Sequence, residues 1–599
     1  MEIGDPEPGR RALASYRDAG RAGVGAGSLA TFDVDAWGEM IIDYMDGSTP
    51  VEIEADLCII GAGAAGIAIA RRFIGTAVTV CLLEGGGASG EESSQALYEG
   101  DTTGCPPLDP GTSRMRVFGG SCNLWGGGCI PLTSEDMAAR DWVPDSGWPI
   151  SYAELDPYYQ QARAYCQLDA HAIKEGSFTT PLARAPLDFE ANTLVNQVFA
   201  RSPILFGKAY RAELEQAQNI TLLLHANLLE LKTLPNGTAV ALARIGSLSG
   251  HRGVIRARHF VLACGGIENA RQLLLSDADA PAGLGNRHDQ VGRYFMDHPC
   301  GTMGTVMTES PDQLTRPYDR NLGKGPAPAF PEIAISHGYQ RTHRLLSGRV
   351  HPFPVEGEVP KGLRALRNLR AALRAAPQDE NHRLEERLQA ALKNGPTALD
   401  DAPASDMGIA ALAFHTLLGA GDIARALIYK LSGKSTVRSN QVALIGYFEQ
   451  APNAHSRITL GNEIDRLGLR KVCVDWQLTP LDLHTYRTAA TLFGDALARA
   501  CGGRFQLAPW LADADKSAAP QVHGTAHHLG TTRMSDDPTR GVVDRDCRVH
   551  GLHNLHIAGS SVFPTGGWAF PTLTLIALSL RLAEKLTQRL SAIDTSEAA

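Results

Sequence analysis

Unbroken apolar runs alternate with glycine-rich turns along this chain, and the first of them is the most informative. Leu57-Cys58-Ile59-Ile60 has no polar position, which predicts a strand covered on both faces and therefore a parallel one. It leads directly into GAGAAG at 61–66 and a helical stretch over 67–73, after which a second apolar run over 78–83 ends at Glu84. Strand, glycine turn, helix and strand in that order predict a doubly wound α/β domain. Strand-like segments at 220–224, 239–243 and 254–258 predict a β-meander, and another apolar strand at 260–263 ends at Cys264-Gly265-Gly266. The last hundred residues return to glycine-punctuated strands and close with an amphipathic helix over 573–586. Upstream, residues 1–50 read as an extension rich in Gly, Ala and Asp, with a short helix around 32–44.

Between about 300 and 453 the pattern carries no nucleotide signature and shifts toward Pro, Arg and Leu, which predicts an inserted second domain that shapes a substrate cavity. Within it, Leu363, Leu366, Leu369 and Leu373 recur at helical spacing beside Arg364, Arg367, Arg370 and Arg374. Such a helix can lie on an anionic membrane or dock an acidic partner, but the reading preferred from sequence is a surface helix with solvated arginines. The resulting division is an extension at 1–50, a first domain at 51–299, the inserted domain at 300–519, and completion of the first domain by 520–599.

Composition narrows the class. A chain of 599 residues, 44% hydrophobic and 20% charged, forms cores and spans several domains or one large discontinuous one. A net charge of −9 offers no surplus to neutralise a phosphate backbone, so nucleic acid is excluded as an expected partner. Eleven cysteines without CxxC spacing indicate neither a zinc site nor a disulfide framework, and read as buried free thiols in a reducing compartment. Arg10 and Arg11 have no apolar stretch behind them, so no secretion signal is expected and the cytoplasm is the expected location. No uncharged apolar run reaches the ~20 residues of a transmembrane helix.

The candidate chemistry lies in the glycine clusters. Gly61, Gly63 and Gly66 form a GxGxxG in which the glycines permit a tight turn, close approach to a pyrophosphate and close helix packing. Glu84, 18 residues after Gly66, can accept hydrogen bonds from a ribose. The second cluster, FGGSCNLWGGG at 118–128, would let backbone amides crowd a flat or anionic ligand, with Asn123 and Trp125 adding polar and stacking groups. The third, GTAHHLGTTRM at 524–534, holds two adjacent histidines, of which one can serve as a general base near neutral pH. In an extended segment only one of the two can face a given site. After a strand-like NLHIAGS at 554–560 comes FPTGGWAFPT at 563–572 and a helix start, whose N-terminus offers free N–H groups to an electron-rich ligand atom.

Together these pieces resemble the glucose-methanol-choline oxidoreductases, over about residues 55–585. The resemblance rests on GAGAAG with Glu84, GGSCNLWGGG, FVLACGGIENARQLLL at 260–275, the HxxGT of His527 to Thr531, and NLHIAGSSVFPT leading to FPTLT. Within the family the chain looks most like the branch of pyranose oxidases and bacterial sugar or polyol dehydrogenases. The resemblance implies a Rossmann-like FAD-binding domain and an inserted α+β substrate domain on an antiparallel sheet. It implies FAD with its pyrophosphate over Gly61, Gly63, Ala65 and Gly66, its ribose at Glu84, and its isoalloxazine near Gly119, Gly120, Ser121, Asn123, Leu124, Trp125 and Gly126 and near Pro571 and Thr572. Leu228, Ala263 and Gly559 complete the implied cofactor contacts. His527 is implied as the base that takes an alcohol proton while hydride passes to the flavin.

Two positions depart from the family pattern. Leu124 stands where pyranose oxidases carry a histidine bound to FAD, so the expected FAD is non-covalent. Phe570 stands where the family places an Asn or His beside its catalytic histidine, and phenylalanine cannot hydrogen-bond. Either His527 acts alone, or a group such as His523 moves in, or the reaction is not ordinary alcohol oxidation. The expected activity is oxidation of a CH–OH group of a sugar, glycoside or other polyhydroxylated alcohol, with oxygen or another electron acceptor. The alternatives are a non-redox member of lyase or decarboxylase type, and a flavin-binding electron-transfer subunit. A homo-oligomer or a partner subunit is left open.

Overall fold

The computed structural model describes residues 41–45, 51–106, 108–323, 325–355, 360–374, 380–394, 409–431, 439–512 and 519–597. Leu57 to Ile60 lie in the strand Val51–Ile60, between 0 and 3% exposed, as an apolar run without alternation requires. On one side it pairs in parallel with Val80–Leu83 and on the other with Arg252–Leu262. Ile220–Leu224 extends the sheet in parallel beyond Val80–Leu83, and Leu555–Ile557 pairs in parallel with Arg252–Leu262. The register decides where the site falls. Ile60 is opposite both Leu83 and Leu262, and Leu262 opposite Ile557, so the carboxyl ends of four strands stop level with one another. Gly61, Glu84, Ala263 and Ala558 therefore emerge side by side along one crevice, the place where open α/β sheets bind ligands.

The meander expected from 220–224 onward is corrected: Ile220–Leu224 belongs to the parallel part of the sheet, and the meander starts at Asn227. Asn227–Thr233, Val240–Gly246 and Arg252–Leu262 are antiparallel neighbours. The two strands expected at 254–258 and 260–263 are one eleven-residue strand, because His259, the polar residue between them, is itself buried. The helix expected around 32–44 is corrected where it can be seen: Ile41–Asp43 is an edge strand parallel to Ile220–Leu224, while 32–40 lies outside the described residues. The final helix, Pro571–Glu597, is longer than its amphipathic core and packs on the helices Ala64–Arg71 and Tyr152–Tyr165.

A second, seven-stranded sheet is antiparallel throughout, and its interior strand Gln441–Phe448 shows strict alternation of buried and half-buried positions. The helix Pro480–Cys501 covers one face of this sheet, burying Tyr486, Phe493 and Leu497. It starts at a reciprocal Thr479/Asp482 cap and ends at Gly502 in the left-handed region. The boundary at 300 drawn from composition does not follow these sheets. Gly128–Cys129 and Leu194–Arg201 belong to the antiparallel sheet, and Gly100–Cys105 pairs with Arg470–Gln477 in a third. Strand pairing is non-local, and a shift in composition reports only contiguous sequence.

Three further helices, Lys361–Arg374, Ile409–Leu418 and Ala420–Leu431, pack on one another. A fourth, Glu380–Asn394, buries Leu384 and Leu388 against Met115 and Val117 beside the crevice.

Candidate active site

The crevice opens into a cavity of about 430 Å³. Of the expected cofactor residues, Gly61, Gly63, Ala65, Glu84, Gly120, Ser121, Leu124, Trp125, Gly126, Leu228, Ala263, Gly559, Pro571 and Thr572 line it, together with His527. Gly66, Gly119 and Asn123 do not, and their roles are structural. A Cβ on Gly66 would stand 1.9 Å from the Gly61 carbonyl oxygen, so this glycine lets the helix sit against the turn. Gly119 donates to the Ala62 carbonyl at 2.9 Å, tying the second glycine loop to the first. The Asn123 amide donates to the carbonyls of Phe118 and Gly120 and so braces that loop from within.

Gly61 has φ +108 and a Cβ there would lie 2.5 Å from the Ala263 carbonyl oxygen, which no other residue tolerates. Glu84 is buried and accepts N–H bonds from Gly86 at 2.8 Å and Ala62 at 3.2 Å; burial raises its pKa against the pull of those donors. The residues fit a dinucleotide. A Cβ on Gly265 or Gly559 would meet no atom within 4 Å, so both backbones face open cavity. Five buried polar atoms on the cavity wall have no hydrogen-bond partner in the protein: Ser113 Oγ, Arg116 Nε, Gln272 Oε1, Arg320 Nε and His528 Nε2. Buried polar groups are rarely left so without a ligand to meet them. The start of Pro571–Glu597 adds the positive end of a long helix.

His527 is held by a loop built around one carboxylate. Asp297 is fully buried and accepts from the backbone N–H groups of His298, Thr525, Ala526 and His527, at 2.6 to 3.2 Å, and from the Thr525 hydroxyl at 3.1 Å. Burial raises its pKa to about 6, with those donors working in the opposite direction. Drawing these N–H groups to one carboxylate bends the chain at Ala526, a non-glycine residue at φ +58. The segment is consequently not extended, and both His527 and His528 reach the cavity wall, contrary to the alternation expected of a strand.

The partners of His527 are both at Nδ1: Thr525 Oγ1 at 2.9 Å and His298 Nδ1 at 3.0 Å. Thr525 Oγ1 has acceptors of its own in Asp297 and the His298 carbonyl, so its hydroxyl proton goes there and its lone pair faces His527. In the tautomer with its proton on Nδ1, His527 donates to that lone pair, His298 presents an unprotonated Nδ1, and Nε2 of His527 is the basic nitrogen. Burial, His298 and Arg349 all hold the His527 pKa well below the usual histidine value, while burial and then Arg349 push His298 down to about 3. Both rings are neutral near pH 7.

His298 is the residue that sequence reasoning missed; it lies just inside the boundary drawn at 299. His523, the suggested substitute, is not on the cavity wall; it is tied to Cys300 by a pair of backbone hydrogen bonds. Phe570 meets His527 edge-on at 5.9 Å and packs on Phe199 at 5.3 Å. Behind it Arg349 lies 5.2 Å from the Phe570 ring and 3.9 Å from Tyr447. Glu332, with no exposed surface, accepts from Arg320 at 2.6 Å, Arg349 at 2.9 Å and His351 at 3.2 Å. Arg320 and Arg201 both line the cavity.

A family model described as GMC oxidoreductase matches residues 452–579. The chain is 24% identical over 605 residues to 6'''-hydroxyparomomycin C oxidase of Streptomyces lividus, covering 92% of this chain and 94% of that one. It is 23% identical over 617 residues to the fructose dehydrogenase large subunit of Gluconobacter japonicus, covering 89% and 98%. The crystal structure of a formate oxidase superposes with a TM-score of 0.51 at 15% identity, over 90% of this chain and 99% of that one, and shares the fold. The sequence motifs, the level strand ends and these matches converge: residues 452–579 match the GMC oxidoreductase model, and along its length the chain is similar to FAD-dependent oxidoreductases acting on CH–OH donors.

Proposed function

We propose that the chain oxidises a CH–OH group of a sugar, glycoside or other polyhydroxylated alcohol to a carbonyl, with His527 as the general base. The observation that carries this reading is His527 on the wall of the glycine-lined cavity, with both of its hydrogen-bond partners at Nδ1. FAD, when bound, accepts the hydride from the carbinol carbon. The chain's part is to take the hydroxyl proton at His527 Nε2 and to hold the alcohol. Arg201 and Arg320 offer guanidinium donors to hydroxyl groups, while Trp125, Phe199 and Phe570 give the apolar ring faces a sugar stacks on. The names of the relatives, an aminoglycoside oxidase and a fructose dehydrogenase, support a polyhydroxylated substrate.

The FAD is held without a covalent bond in this reading. Leu124 offers no nucleophile, and burial raises the neighbouring Cys122 thiol to about 12, keeping it protonated. Acid precipitation should release all flavin to the supernatant; flavin retained in the pellet refutes non-covalent attachment. The reaction itself is tested by anaerobic bleaching of the flavin against a panel of sugars, glycosides, polyols and simple alcohols, followed by oxygen or a dye as acceptor. Bleaching by polyhydroxylated alcohols is expected. A flavin that no CH–OH compound bleaches would point instead to a non-redox reaction or to a subunit without catalysis.

A further inference from the structure

One region of the surface plays no part in the oxidation chemistry. Nine large apolar side chains are exposed among the described residues, and five of them fall between 414 and 428: Phe414, Leu417, Leu418, Leu427 and Ile428, at 58 to 75% exposure. Single exposed apolar residues are ordinary, whereas a cluster marks an interaction surface. They lie on the helices Ile409–Leu418 and Ala420–Leu431, which bend by 61° relative to each other. No single described helix is long and apolar enough to cross a membrane.

Across this pair lies Lys361–Arg374, which carries five cationic residues and no carboxylate in a chain of net charge −9. It packs through its smallest residues. Gly362 and Gly419 approach so closely that a Cβ on either would fall 2.4 or 2.0 Å from the other's Cα. Leu363, Leu366 and Leu369 thus remain half-buried, and Arg364, Arg367 and Arg370 are exposed. The nearby carboxylate Asp422 is paired with Arg425 at 3.0 Å. Between the helices is a cavity of about 400 Å³ lined by Lys361, Arg364, Asn368 and His415, with Asp422.

We propose that these three helices seat the chain on the surface of an anionic lipid bilayer. Phe414, Leu417, Leu418, Leu427 and Ile428 enter the boundary between headgroups and acyl chains, and Arg364, Arg367 and Arg370 meet the phosphates. Charge complementarity selects this occupant. A one-signed cationic helix beside exposed leucines matches a fluid, negatively charged surface, and the acidic remainder of the protein keeps other orientations off it. The exposed Arg364, Arg367 and Arg370 become the electrostatic half of a membrane contact.

The test is co-sedimentation of the flavin-loaded full chain with phosphatidylcholine vesicles with and without phosphatidylglycerol. Binding is expected only where phosphatidylglycerol is present, and it should weaken as salt screens the charges. Replacing Arg364, Arg367 and Arg370 together by Gln should weaken it on the order of 10²-fold. Leu417→Ser with Leu418→Ser should weaken it at high and low salt alike, with flavin content unchanged in both variants as the check on folding. Failure of the chain to sediment with phosphatidylglycerol vesicles, equal binding to phosphatidylcholine alone, or binding that neither variant alters would overturn the proposal. Recovery of the cluster in a stable complex with a second copy or a protein subunit, without vesicle binding, would overturn it as well.

Discussion

Replacing His527 by Ala tests the centre of the chemistry. A positioned general base is worth ~10²–10⁴ in rate, or ~2.7–5.5 kcal/mol at ~1.36 kcal/mol per decade. The structure selects the lower half of that range. Burial, His298 and Arg349 all depress the basicity of His527, and a weaker base gains less from accepting the proton. We therefore expect flavin reduction by substrate to slow roughly 10²–10³-fold. The fold should survive, because the truncation removes two hydrogen bonds at Nδ1, each worth about 1 kcal/mol, from a ring that is only partly buried at a cavity wall. Anaerobic stopped-flow bleaching isolates this step, and the flavin-to-protein ratio checks the cavity. The pH profile is a second readout. Because the pKa of His527 lies below the usual ~6.5, the neutral base is present throughout the neutral range, and the wild-type reduction rate should be flat above about pH 6.5. Thr525→Val, which deletes one of the two groups fixing the tautomer, should slow the step about fivefold. A loss below about tenfold in flavin-loaded His527→Ala would remove His527 from its role.

Three further outcomes follow from the packing. Gly61→Ala puts a Cβ 2.5 Å from a backbone oxygen at φ +108, and the sum of backbone strain and overpacking, about 2–5 kcal/mol, should appear as a lower melting temperature with loss of flavin; unchanged flavin content would contradict the close approach. Glu449→Ala strands Arg140, which it holds at 2.9 and 2.5 Å in the interior, and denaturant titration should register a loss of about 3–5 kcal/mol; a loss under about 1 kcal/mol would show the pair to be dispensable. Burial works to raise the pKa of Glu268, but Arg271, Arg114 and Arg116 hold it at about 2, and Arg349 and Arg320 hold Glu332 still lower. For a carboxylate depressed in the fold, the stabilisation is complete above its unfolded pKa of ~4.3 and is lost as pH falls toward the folded value. Calorimetry should find the melting temperature dropping steeply below about pH 4.5, and a flat profile down to pH 3 would refute the assignment.

The parallel sheet and its glycine turn were legible because their signals are local. Four successive apolar residues, a GxGxxG and a carboxylate at the next strand end need only one another to be read, and the register then carries Ala263 and Gly559 to the same crevice. The edge strand Ile41–Asp43 was not legible, since three residues give no period to recognise. Nor was the membership of Leu194–Arg201 in the antiparallel sheet, where its partner Ala329–Ile335 lies more than a hundred residues away. His298 escaped for the same reason, standing 229 positions from the ring it touches. One sign was available: a histidine between an Asp and a proline in MDHP, at a point where composition alone suggested nothing but a boundary.

The absence of a hydrogen-bonding residue at Phe570 looks different once both sides of His527 are visible. A search for a partner near Phe570 assumes that the ring must be oriented from the substrate side. Here it is oriented from behind: Thr525 and His298 hold Nδ1, and Asp297 holds the backbone that carries both Thr525 and His527. With the ring fixed in that way, the substrate-facing neighbour can be apolar, and Phe570 seals the wall against Phe199. The charge that an alkoxide would otherwise draw from an Asn or His can come from Arg349, whose guanidinium lies behind the Phe570 ring and is compensated by buried Glu332. The same cation lowers the basicity of His527. An electrostatic contribution to the developing alkoxide and a share of the depressed base pKa, after those of burial and His298, are therefore two consequences of one residue. Substitution of Arg349 should move both the reduction rate and the acid limb of its pH profile, whereas a defect in the Asp297 loop should move the rate alone.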